Sequence, residues 1–89
     1  MTFERLAELV AEAFQEAMNT GGFETFKEMR RSYDWDIQDI KDDVRAMISS
    51  VSENYKELIF MSDDCSFIQI GYDYMGWGNF RKMIFSHLK

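Results

Sequence analysis

The stretch Leu58-Ile59-Phe60-Met61-Ser62-Asp63-Asp64-Cys65-Ser66-Phe67-Ile68-Gln69-Ile70 decides the fold class. Two short apolar runs flank five small or acidic residues, which is the pattern of two strands joined by a polar turn. A lone two-stranded hairpin is marginal in water, so this one must lie against other elements. The rest of the chain supplies helices, and the expected class is therefore α+β.

Working upstream, Ile37, Ile40, Val44, Met47 and Ile48 form one helical stripe, with Asp36 placed as N-cap and Asp39 in the favourable first turn, so a helix is predicted to about Ser50. Further back, Phe23, Phe26, Met29, Arg30 and Tyr33 keep a spacing of three and four and predict a shorter helix of about three turns. Residues 3–18 place Phe3, Leu6, Val10, Ala13, Phe14 and Ala17 on one face, with Thr2 as N-cap and Gly21-Gly22 as the stop. Downstream, Tyr72-Asp73-Tyr74-Met75-Gly76-Trp77-Gly78 interleaves aromatic residues with glycine. After Asn79, Phe80, Ile84, Phe85 and Leu88 recover helical spacing. The expected architecture is three N-terminal helices packed on a β-hairpin, followed by a short C-terminal helix, with a third strand formed by the tail as the alternative. Residues 1–89 are read as one compact domain.

The composition narrows the function classes. Eight Phe, four Tyr, two Trp and seven Met give enough bulk for a core despite the small size. A single cysteine, Cys65, excludes an internal disulfide and a four-cysteine zinc site, and favours a reducing, cytoplasmic setting. No apolar run reaches the roughly 18 residues of a membrane span. The net charge of −6 is unevenly spread, because all 16 acids fall within residues 1–73 and the only charges beyond are Arg81, Lys82 and Lys89. Such a body repels nucleic acid and anionic membrane and attracts basic surfaces.

Catalytic and cofactor chemistry find little to work with. One His and one Cys cannot assemble a zinc site. The acids of Asp34-Trp35-Asp36-Ile37-Gln38-Asp39 have the spacing of a calcium loop, but Asp39 stands where the loop needs glycine and Arg45 where it needs its bidentate Glu. Gly76-Trp77-Gly78 lacks the remaining residues of any phosphate-binding fingerprint. Cys65 follows Asp63-Asp64, whose charge disfavours a thiolate, and His87 is read as a complement to a helix C-terminus. The expectation is a protein that is not an enzyme and takes no cofactor or metal.

Two surfaces remain as binding candidates. Glu4, Glu8, Glu12 and Glu16 recur at every fourth residue, so on a helix they stand about 6 Å apart. Each Glu-Glu pair at that spacing costs about 0.2–0.5 kcal/mol, so the row works against local stability. The bland account is a solvated helix face; the functional one is a row of carboxylates that mimics a nucleic-acid backbone. Asp34, Asp39, Asp42 and Asp43 would extend it. The second candidate is Tyr72, Tyr74 and Trp77 on the glycine-rich segment, since Tyr and Trp anchor interfaces at low entropic cost. For Trp77 the plainer account is closure over the core. The sequence thus predicts a small acidic inhibitor that binds a protein partner with a basic surface, a nucleic-acid enzyme of a host, with no direct nucleic-acid or membrane binding. Mobile elements use such proteins in anti-CRISPR and antirestriction roles. The competing expectation is an assembly protein that self-associates, or joins a complex, through aromatic and Met surface.

Overall fold

The computed structural model describes residues 1–19 and 38–88. They form helix α1 (Phe3–Asn19), helix α2 (Gln38–Tyr55), strands β1 (Ile59–Met61), β2 (Phe67–Ile70) and β3 (Asp73–Gly76), and helix α3 (Trp77–His87). The class is α+β, as expected. The helix expected from Phe23 to Tyr33 and the expected cap Asp36 lie outside the described residues.

Thr2 caps α1: its Oγ1 accepts from the Arg5 amide at 3.0 Å, and its carbonyl accepts from the Leu6 amide at 3.0 Å. The buried stripe of α1 is Leu6, Ala7, Val10, Ala11 and Phe14. Helix α2 contributes Val44 and Ile48 and runs five residues beyond Ser50. Its end is a Schellman motif, in which Lys56 adopts φ 53°. The Lys56 amide donates to the Glu53 carbonyl at 3.3 Å and the Glu57 amide to the Ser52 carbonyl at 3.1 Å. No glycine marks that stop.

The sheet corrects the expected hairpin. It has three antiparallel strands in the order β1-β2-β3, with Ile59 opposite Ile70, and Ile70 in turn opposite Asp73. The third strand and the C-terminal helix coexist, because the two-residue turn Gly71-Tyr72 returns the chain before α3 begins at Trp77. Gly71 supplies the positive φ of 59° that this turn needs at its first position. The alternation of side chains then sorts the sheet. Ile59, Met61 and Ile68 face the helices and are buried, and with Trp77, Phe80 and Ile84 of α3 they join the residues of α1 and α2 in one core. Among the described residues the helices pack on that face, which leaves Phe60, Phe67, Gln69 and Tyr74 on the other.

The β1–β2 turn is heavily wired. Asp64 Oδ1 accepts from Ser62 Oγ at 2.7 Å, from Ser66 Oγ at 2.7 Å and from the Ser66 amide at 3.0 Å. Ser62 Oγ in turn accepts from the Phe67 amide at 3.2 Å. From α2, Arg45 Nη2 reaches the carbonyls of Ser62 and Asp63 at 3.1 and 2.8 Å and Cys65 Sγ at 2.7 Å. Cys65 is fully buried at φ 58°, so the turn is pinned both from within and from the helix layer.

Candidate protein-binding surfaces

The glutamate row is real in space but uneven in charge. Glu4 Oε1 meets His87 Nε2 at 2.5 Å, joining the first turn of α1 to the last turn of α3. Glu8 pairs with Arg5 one turn back. Glu12 and Glu16 are exposed and form no ion pair among the described residues. Glu8, Glu12 and Glu16 line a groove of about 350 Å³ with Ala11, Gln15, Asn19 and His87. The feature most specific in the sequence is therefore reduced from four carboxylates to two adjacent ones that line the groove.

The other acids divide. Asp34 lies outside the described residues, and Asp39 falls in the first turn of α2. Asp42 stands 3.7 Å from Arg45 on the same helix, which also carries Asp43. At the sheet's turns, Asp63 and Asp64 lie at one end and Asp73 at the other, all exposed. Hydrogen bonds from the side chains of Ser66 and Ser62 and from the Ser66 amide hold the Asp64 carboxyl down at about 2, from an ordinary 3.8. It stays ionised through almost the whole acid range.

The aromatic candidates also separate. Trp77 is 6% exposed and belongs to the core, which takes it off the surface. Tyr72 is 93% exposed and sits in the β2–β3 turn, outside the strand that carries Tyr74. Tyr74 lies on β3 opposite Gln69, which is opposite Phe60 on β1. Phe67 bridges the row: its ring stands edge-on to Phe60 at 6.1 Å and 73°, and to Tyr74 at 5.6 Å and 74°. Tyr74 is 68% exposed, Leu58 64% and Phe60 42%, so an apolar strip crosses the whole outer face of the sheet.

Sequence reasoning passed over Leu58, Phe60 and Phe67 as surface residues because they stand in the runs that define the hairpin. The signal was the period of two: once Ile59, Met61 and Ile68 are assigned inward, Phe60 and Phe67 must face out. Arg45 was also missed as the latch on the turn, since its three acceptors lie 17 to 20 residues away.

Among the described residues, no group of three His, Cys, Asp or Glu side chains is placed to hold a metal ion. Nor is any described helix long and apolar enough to cross a membrane. Comparison with protein-family models, curated proteins and solved structures returns no match.

Proposed function

We propose that the protein acts by binding another protein, as a small acidic inhibitor that occupies a basic, nucleic-acid-binding cleft of a host enzyme in the anti-CRISPR or antirestriction manner. The observation that carries this reading is the pair Glu12 and Glu16 on α1, which forms no ion pair among the described residues. Their carboxylates are exposed, about 6 Å apart and beside a groove, at a spacing that disfavours the helix they stand on. A surface that keeps like charges unpaired is available to a cationic partner at little desolvation cost.

The test is capture of a purified basic nucleic-acid enzyme by the chain at low and high salt. Charge-led binding weakens steeply as salt rises. Replacing Glu12→Lys together with Glu16→Lys should weaken capture at least about tenfold, roughly the 1.4 kcal/mol of one decade in affinity. Unchanged capture by that double variant sinks the reading.

A second reading has its own support. The apolar strip Leu58, Phe60, Phe67 and Tyr74 fits an assembly protein that docks through the outer face of its sheet. Binding of that kind responds little to the α1 substitutions and fails instead when Tyr74 is changed.

A further inference from the structure

We infer that the outer face of the sheet is covered by a second copy of the same chain, packed face to face about a two-fold axis that passes near Gln69. The inference rests on the second reading above, that this face is a docking surface, and names its occupant.

Area is the first argument. Leu58, Phe60, Tyr72 and Tyr74 are 64%, 42%, 93% and 68% exposed. With large side chains each offering about 150–250 Å², Leu58, Phe60 and Tyr74 present roughly 350 Å², and Tyr72 in the adjoining turn raises the total to roughly 500–600 Å². A specific interface of standard size takes about 800 Å² from each partner, and the smaller ones about 600 Å². The strip together with Tyr72 of the adjoining turn approaches the lower figure.

Charge is the second argument. A chain of net charge −6 repels its own copies wherever acids face each other. The outward side chains of the strands are Phe60, Phe67, Gln69 and Tyr74, and none of them is an acid or a base. This face can therefore approach itself without burying a charge, as an isologous contact requires. Asp63, Asp64 and Asp73 lie at the ends of the strands, at the rim of the contact, where water and salt screen them.

Geometry is the third. Two sheets stack about 10 Å apart with their inner side chains interdigitated, a layer that the edge-to-face rings of Phe60, Phe67 and Tyr74 fill. Gln69 sits between Phe60 and Tyr74 at the middle of the row. Its Nε2 already donates to the Gly71 carbonyl at 2.7 Å, which fixes the amide so that its oxygen can accept from the same amide of the second copy.

Sedimentation equilibrium over a concentration series gives the test. The expected result is a monomer–dimer equilibrium that shifts toward dimer as salt rises, the opposite sign to charge-led capture of a basic partner. Tyr74→Lys and, separately, Leu58→Lys should each weaken dimerisation at least about tenfold while circular dichroism shows the fold intact. Both residues are exposed, so folding does not depend on them. A chain that stays monomeric at every concentration overturns the inference, and so does a dimer indifferent to both substitutions. If the chain is monomeric but Tyr74→Lys still abolishes capture of a partner protein, the second copy is ruled out while the face keeps its role as a docking surface.

Discussion

Lys56 occupies a conformation that glycine adopts without strain. A side chain in the left-handed region costs about 1 kcal/mol, and the Schellman motif closing α2 forces Lys56 into it at φ 53°. Lys56→Gly should therefore raise stability by about 0.5–1 kcal/mol, read as a higher urea midpoint at unchanged slope. The same residue explains why the end of α2 was hard to read. Ser49-Ser50 looks like a stop, but the helix continues to Tyr55 because Ser52 and Glu53 find their capping amides beyond it. Glycine would have announced that stop; lysine conceals it. Trp77 shows the reverse case, a residue whose type suggests an interface and whose burial assigns it to the core.

Among elements, legibility followed amphipathicity. Helix α1 could be read almost to its ends because Leu6, Val10 and Phe14 repeat on one face and Thr2 caps it. Strand β2 matched its expected span from Phe67 to Ile70, since polar residues bound it on one side and glycine on the other. Strand β3 entered only as the alternative of a third strand, because three of its four residues are exposed and no clear alternation marks it. The glutamate row was legible as a row, whereas its partial neutralisation was not. His87 reaches Glu4 across 83 positions, a pairing no local pattern encodes. Arg45 is a similar long-range tie, holding the β1–β2 turn to α2 through three acceptors. Arg45→Met keeps the aliphatic stem and removes those bonds, which should cost about 1–2 kcal/mol in chemical denaturation.

At the scale of the molecule, a layer of helices covers one face of a short antiparallel sheet, and the stability of that arrangement depends on acid. The Asp64 carboxyl titrates at about 2 in the folded chain against 3.8 ordinarily, so the folded state holds it more tightly in its ionised form. Above about pH 4 this contribution is fully present, because Asp64 is ionised whether the chain is folded or not. Between about pH 4 and pH 2 the unfolded chain takes up the proton first, and the contribution is lost. Asp64→Asn should melt below the parent at neutral pH, with the gap narrowing through that window; a gap that stays constant down to pH 2 would remove the carboxylate from the account.

The turn that Asp64 organises has a reach beyond its own stability. Side-chain period in a strand is two, so a pairing slipped by a single residue would exchange the two faces of β1 relative to its neighbour. Phe60 would turn in among the helices while Ile59 and Met61 met water. What prevents this is a set of bonds within residues 62–67, where Ser62 and Asp64 count out the turn, and a tie from α2, where Arg45 holds the count in place. The turn thus works as a ruler. It determines which half of the strand's side chains any partner can meet.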